Sequence, residues 1–77
     1  MEIIVFHGNN CSACHAEMEF LEARKIPYTA RNVSTDLAAR EELIAMGSKT
    51  VPTTLVDGKM VIGFDLARIE ELIAPRA

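Results

Sequence analysis

The chain is 77 residues long, with 49% hydrophobic and 25% charged residues and a formal net charge of −3, which fits one small domain over residues 1–77 with an ordinary globular composition. The slightly acidic charge gives no reason to expect nucleic acid or an anionic membrane as a partner, and no apolar run approaches the ~20 residues needed to span a bilayer. Because the N-terminus lacks the basic region and long apolar segment of a secretory signal, we expect a cytoplasmic location.

The chain opens with a predicted strand that leads to the only two cysteines. Glu2 to Phe6 is rich in consecutive apolar residues, which indicates a strand covered on both faces. His7 to Asn10 contains a glycine and two asparagines, which are typical of a loop. Cys11 and Cys14 follow at once, so the pair is expected at a strand-to-helix turn.

A helical pattern runs from Ser12 to Lys25, and Pro27 forbids its continuation. Near-helical spacing connects four of its side chains: Cys14, Met18, Leu21 and Lys25. The acidic residues of this helix are predicted to form a solvated face: Glu17, Glu19 and Glu22.

A second strand and a second helix are predicted in the middle of the chain. Tyr28 to Val33 indicates a strand, although two polar residues interrupt it. Leu37 to Met46 fits a helix that Ser34 or Thr35 can cap at its N-terminus. Gly47 is a suitable C-terminal stop for that helix.

A β-hairpin and a last helix complete the chain. The turn Asp57-Gly58 is a strong hairpin signal between Thr53 to Val56 and Lys59 to Ile62. Asp65 can cap a helix that Pro75 ends. The apolar stripe of this helix consists of Leu66, Ile69, Leu72 and Ile73. The order βαβ, α, ββ, α predicts an α/β fold with a four-stranded mixed sheet and three helices on its faces.

The cysteine pair has the position of a redox site. A helix N-terminus presents unpaired N–H groups and a partial positive charge, which favour a thiolate over a thiol. A stabilisation of ~2 kcal/mol would raise the thiolate fraction of a free cysteine from ~3% at neutral pH to near half. Cys11, first in the helix, is therefore the expected nucleophile. Cys14, one turn further in, is the expected buried resolving partner.

A purely structural disulfide is the alternative role for this pair. Closing so short a loop removes little entropy from the unfolded chain, worth about 2 kcal/mol against about 4.7 kcal/mol for a hundred-residue loop. The spacing suits a bond that opens and closes better than one that stabilises the fold.

Three segments carry a resemblance to a known family: Cys11-Ser12-Ala13-Cys14, Thr50-Val51-Pro52-Thr53 and Val61-Ile62-Gly63-Phe64-Asp65. Together with the order of elements, they make nearly the whole chain similar to the glutaredoxins, the minimal form of the thioredoxin fold. The chain resembles the small bacterial glutaredoxin-like proteins of the YruB type most. It also resembles the NrdH-redoxins, which share the Gly-Phe pair.

The resemblance implies a dithiol–disulfide oxidoreductase that reduces protein disulfides through Cys11 and Cys14. It also implies a cis peptide between Val51 and Pro52, which leaves the Val51 backbone able to pair with a bound chain. Without the resemblance, Pro52 would be expected only to begin a strand. The implied substrate-binding residues are Lys49, Thr50, Val51, Pro52, Gly63, Phe64 and Asp65.

Most of the residues that bind glutathione in glutaredoxins are absent. Gly8 stands where those proteins usually carry lysine, and Ser12-Ala13 replaces their Pro-Tyr. Phe64 takes the place of a second glycine, whereas Lys49 matches a basic residue common in the family. We expect a monomer with no bound cofactor beyond the redox-active disulfide. Its reductant is expected to be a thioredoxin-reductase-type flavoprotein or glutathione, with the flavoprotein the better of the two.

Metal and haem binding are alternative uses of the same cysteines. Cys11 to His15 spells C-x-x-C-H, the attachment pattern of c-type haem, but attachment normally needs export and so small a chain leaves no haem pocket. Cys11, Cys14, His7 and His15 are four potential zinc ligands. However, side chains at adjacent helical positions 14 and 15 point about 100° apart. A glutathione-bridged iron–sulfur cluster would need the missing glutathione-binding residues. A metal- or cluster-carrying module therefore remains the alternative function.

The two histidines flank the cysteine pair and are the nearest candidate proton carriers. His7 and His15 could tune Cys11 or shuttle protons. For His15 a solvent-facing position is the favoured alternative. For His7 the two possibilities are balanced.

Overall fold

The computed structural model describes residues 1–73 and contains four strands and three helices in the predicted order. They are β1 (Ile3–His7), α1 (Ser12–Ala23), β2 (Thr29–Asn32), α2 (Leu37–Ala45), β3 (Thr53–Val56), β4 (Lys59–Ile62) and α3 (Leu66–Ile73). The predicted helix end at Pro75 lies outside the described residues. Within residues 1–73, no helix is both long and apolar enough to cross a membrane.

The four strands form one mixed sheet in the order β2-β1-β3-β4. β1 pairs with β2 in parallel and with β3 antiparallel, and β3 pairs antiparallel with β4. The β3–β4 turn has positive φ at both Asp57 (51°) and Gly58 (84°), as a two-residue type I′ hairpin requires. The sheet confirms the predicted thioredoxin-like fold.

The central strand β1 is covered on both faces, as its unbroken apolar run predicts. Val5 packs in a core cluster with Leu21 of α1 and Ile69 of α3. Phe6 points to the opposite face and packs with Ala39 and Leu43 of α2. The C-terminal end of β1, which leads to the start of α1, is therefore held between two cores.

The helix ends differ from the predicted ones in two places. α1 ends at Ala23, because Lys25 adopts a left-handed conformation (φ 58°). The N–H groups of Lys25 and Ile26 bond back to carbonyls of the last helical turn. The N-cap of α2 is Asp36, whose side chain accepts from the Ala39 N–H, so the prediction of Ser34 or Thr35 as the cap is wrong.

Ser34 does not cap α2 because its side chain has a tertiary partner. Its hydroxyl accepts a hydrogen bond of 3.0 Å from the Asn9 N–H, in the loop before the cysteines. This bond ties the β2–α2 connection to the loop that precedes the cysteine pair.

Candidate active site

The two cysteines lie at the N-terminus of α1, as the sequence predicts. Cys11 is the N-cap residue, and its Sγ accepts a hydrogen bond of 3.1 Å from the Cys14 N–H. The two sulfurs form a disulfide, with the Cα atoms 5.2 Å apart. Cys14 is fully buried, whereas Cys11 is half-buried. The predicted difference in exposure is confirmed, and the N–H directed at Cys11 Sγ is suited to stabilise a thiolate there.

The loop before β3 brings its backbone beside Cys11. The Val51–Pro52 peptide is cis, as the resemblance implies. The Val51 carbonyl oxygen lies 3.9 Å from Cys11 Sγ. Because β3 begins at Thr53, Val51 lies outside the paired strands. Val51, one of the predicted binding residues, therefore contacts the cysteine pair directly.

Buried hydroxyl groups hold this loop in place. Thr53 Oγ1 donates to the Thr50 carbonyl oxygen (2.7 Å), and Ser48 Oγ lies 2.8 Å from Thr53 Oγ1. Ser48 and Thr53 are both buried, whereas Lys49 and Thr50 are exposed. Sequence analysis did not identify Ser48 or assign Thr53 a role here, since serine and threonine near a glycine or proline are typical of any turn.

The segment after β4 is attached to the same loop. The Gly63 N–H donates to the Pro52 carbonyl oxygen (2.8 Å), and Gly63 has a positive φ of 80°. Phe64 is half-buried and packs against the core between the sheet, α1 and α3. Asp65 is exposed, and its Oδ1 accepts from the Arg68 N–H (3.1 Å), so its predicted capping of α3 is confirmed.

A cavity of about 520 Å³ lies on the α2 side of Val51. Two cationic residues line it, the predicted Lys49 and also Arg40. Sequence analysis missed Arg40, because its position on α2 does not reveal that it lies beside the loop before β3. The remaining lining residues are Val33, Ser34, Leu43, Ile44 and Val51. Gly8 lies next to two of these lining residues, since a Cβ there would be 3.6 Å from Val51 Cγ2 and 3.1 Å from Ser34 Oγ.

The two histidines lie around a second depression, bordered also by the asparagines of the β1–α1 loop. His15 is exposed, which confirms the solvent-facing position expected for it. His7 is half-buried at the end of β1. Burial lowers the pKa of His7 below its usual 6.5, and the electrostatic interaction with the neighbouring His15 lowers it further.

Glu17 is buried, so its predicted place on a solvated helix face is wrong. It is 0% exposed, as is Thr54 of β3, whose hydroxyl donates to Glu17 Oε2. Glu17 Oε1 has no hydrogen-bond partner. Burial raises the pKa of Glu17, and the bond from Thr54 partly opposes that rise. The buried residues of α1 are Cys14, Glu17 and Leu21, which are three and then four residues apart. This spacing, which places all three on one face of a helix, is the signal in the sequence that could have identified Glu17 as buried.

The buried pair of Glu17 and Thr54 should cost stability. Replacing both, as Glu17→Leu with Thr54→Val, should stabilise the oxidised protein by about 1–3 kcal/mol at neutral pH, because apolar groups of similar shape need no partners. The folded-state pKa of Glu17 is raised above 4.5. The free energy of unfolding of the wild type therefore falls as the pH rises from about 4.5 to the raised folded-state pKa of Glu17. The double variant has no carboxyl group at position 17, so its stability should not fall for this reason. Urea unfolding should show a larger difference at neutral pH than near pH 4. An equal difference at both would contradict an ionisable buried carboxyl.

Among residues 1–73, no group of three or more histidine, cysteine or carboxylate side chains is arranged to hold a metal ion. The ligands considered for zinc do not form such a group. His15 is exposed while Cys14 is fully buried, in accord with their opposed directions on α1.

Comparison with known proteins agrees with this architecture. A family model described as glutaredoxin matches residues 3–61. A glutaredoxin-like 8.6 kDa protein from the rubredoxin operon of Clostridium pasteurianum is 31% identical over 72 residues, covering 92% of this chain and 96% of its own length. The crystal structure of the thioredoxin-like protein BC3987 matches with a TM-score of 0.88 and 32% identity, over 92% of this chain and 99% of its own. The glutaredoxin-like NrdH-redoxin of Escherichia coli matches with a TM-score of 0.84 and 29% identity, over 94% of this chain and 95% of its own.

Proposed function

This chain belongs to the glutaredoxin family, and we propose that it is a dithiol–disulfide oxidoreductase that reduces protein disulfides through Cys11 and Cys14. The observation that carries the proposal is the placement of Cys11. It caps α1, its sulfur accepts the Cys14 N–H, and the Val51 carbonyl lies 3.9 Å away. A helix-terminal, partly exposed cysteine paired with a buried one is suited to thiol–disulfide exchange.

The reaction begins with the reduced pair. The Cys11 thiolate attacks one sulfur of the substrate disulfide, forms a mixed disulfide and expels the other substrate sulfur as a thiolate. Cys14 then attacks Cys11 Sγ, which releases the second substrate thiol and leaves the Cys11–Cys14 disulfide. This internal disulfide is the state that the structure represents. An external reductant returns the pair to the dithiol.

The substrate chain is held by the loop beside Cys11. Val51 lies outside the paired strands, so its backbone N–H and C=O can pair with an extended substrate segment. Lys49 and Thr50 are the exposed residues that precede it. Gly63 is bonded to Pro52, and Phe64 and Asp65 follow it, so this segment borders the same surface.

The proposed reductant is a thioredoxin-reductase-type flavoprotein, acting in the cytoplasm, where such systems keep thiols reduced. Gly8 gives the rim of the site no charge where glutathione-binding relatives carry lysine. The NrdH-redoxin of Escherichia coli is described as glutaredoxin-like with a thioredoxin-like activity profile, and a similar combination is proposed for this chain.

Reduction of insulin disulfides by dithiothreitol tests the proposed function without choosing a reductant. Native protein should accelerate the appearance of insulin turbidity in proportion to its concentration. Protein whose two reduced cysteines have been alkylated with iodoacetamide is the matched control and should give the uncatalysed rate. Equal rates with native and alkylated protein would contradict the proposal.

A further inference from the structure

Glu17 and Cys14 occupy the same buried face of α1, one turn apart. Both are 0% exposed. Residues three apart on a helix have Cβ atoms about 5–6 Å from each other. Helical side chains lean toward the N-terminus, so a side chain at position 17 covers the turn that contains position 14. The carboxyl group of Glu17 is thus placed under the buried cysteine.

One oxygen of this carboxyl group lacks a partner. Thr54 satisfies Oε2, whereas Oε1 accepts no hydrogen bond from any described residue. Unpartnered buried carboxyl oxygens are costly and rare in native proteins. In the disulfide form Cys14 has no thiol proton, so it cannot donate a hydrogen bond to Glu17 Oε1.

The surroundings of Glu17 contain no competing charge among the described residues. The buried members of the core cluster that packs against Leu21 of α1 are all apolar: Ile3, Val5, Val56, Val61, Ile69 and Ile73. Tyr28 packs against this cluster, and its hydroxyl donates to Glu22 at the surface. The charged Glu70 of α3 pairs with Arg24 at the surface, where both are partly exposed. Cys14 is therefore the titratable group that shares the buried face of α1 with Glu17.

We propose that Glu17 accepts the proton of the Cys14 thiol when Cys14 resolves the mixed disulfide. The inference rests on the proposed function, because it needs a mixed disulfide on Cys11. The thiol proton moves to the carboxylate, and the Cys14 sulfur forms a bond to Cys11 Sγ. The bond from Cys11 Sγ to the substrate sulfur breaks, and its electron pair leaves with that sulfur as a thiolate. Cys14 is oxidised and the substrate sulfur is reduced.

Cys14 needs such a base because it lies in an apolar interior. Burial disfavours a thiolate, yet the thiolate is the attacking species. A base is most effective when its pKa is close to the working pH. Burial raises the pKa of Glu17 from its usual 4.5 toward neutral pH. A buried carboxyl that is unfavourable for the fold is therefore suited to the second chemical step.

The test separates the two steps with an aromatic disulfide. Reduced protein is mixed with 5,5′-dithiobis(2-nitrobenzoate) in a stopped-flow spectrometer, where attack by Cys11 releases one coloured thiolate and attack by Cys14 releases the second. Glu17→Gln keeps an acceptor for Thr54 but cannot take a proton. The first phase should be unchanged and the second slowed by roughly 10²-fold at neutral pH, in the range of general base catalysis. Glu19→Gln, the same change at an exposed position of α1, should leave both phases unchanged.

The pH profile separates a base from a structural residue. Thr54→Val removes the donor that favours the charged carboxylate, so the midpoint of the second phase should move to higher pH. This variant also tests the proposal if Glu17→Gln does not fold. Identical second-phase profiles in wild type and Thr54→Val, or in wild type and Glu17→Gln, would overturn the role of Glu17. A wild-type protein that releases only one thiolate would instead overturn the proposed dithiol function.

Discussion

Replacing Cys11 with serine should reduce disulfide reductase activity to the uncatalysed rate. The hydroxyl of serine does not ionise at neutral pH, so the helix-terminal N–H groups would have no thiolate to stabilise. Cys14 remains in this variant, but it is fully buried and cannot reach a protein substrate. The insulin assay measures the loss.

Cys14→Ser is the matched variant and should fail at a different step. Cys11 still attacks, but nothing resolves the mixed disulfide, so the adduct should accumulate on Cys11. Mass spectrometry after incubation with a disulfide peptide should show one adduct per chain, mapped to residue 11. Adducts on Cys14 in the Cys11→Ser protein, with activity retained, would reverse the two assignments.

A thioredoxin-reductase-type flavoprotein should reduce the oxidised protein with a kcat/KM at least roughly tenfold higher than glutathione, a difference of about 1.4 kcal/mol. Glutathione is anionic, and Gly8 offers no charge to it. Lys49 and Arg40 both line the cavity beside Val51, so the cationic set is larger than the sequence suggests. Exposed ion pairs contribute only ~0–1 kcal/mol each. Coupled NADPH assays at equal protein concentration compare the two reductants.

Gly8→Lys tests the reason for this preference. The added cation should raise turnover with glutathione, whereas Gly8→Ala adds the same Cβ without the charge. Both variants place that Cβ 3.1 Å from Ser34 Oγ, so any steric effect is shared between them. Efficient turnover with glutathione in the wild type, and none with the flavoprotein, would contradict the proposed reductant.

The fold could be predicted because local signals and the global architecture agree. The unbroken apolar run of β1 indicated a strand covered on both faces, and two cores cover it. Asp57-Gly58 predicted the hairpin, and both residues have the positive φ that its type I′ turn requires. The N-cap of α2 could not be predicted, because Ser34, Thr35 and Asp36 are all residues that can cap a helix. The hydrogen bond from the Asn9 N–H to Ser34, which leaves Asp36 as the cap, is a tertiary contact that the local sequence does not reveal.

The site was predictable only where it depends on a short motif. The positions of Cys11 and Cys14 follow from their spacing and from the helix start. Glu17 was misplaced because a carboxylate on a helix is normally solvated, and its partner Thr54 lies 37 residues away. Arg40 likewise meets Lys49 only through the packing of α2 against the loop before β3. Residues brought together by tertiary packing leave no periodic signal.

Alkylation of the reduced protein tests the central claim that Cys11, at the N-terminus of α1, is a partly exposed and activated thiolate, whereas Cys14 is a buried thiol. Reduced protein is treated with limiting iodoacetamide over a range of pH, and peptide mapping identifies the modified cysteine at each point. We expect modification of Cys11 first, with a rate midpoint below the ~8.5 of a free cysteine, and an unmodified Cys14. Modification of Cys14 first, or a Cys11 midpoint at or above that value, would contradict it.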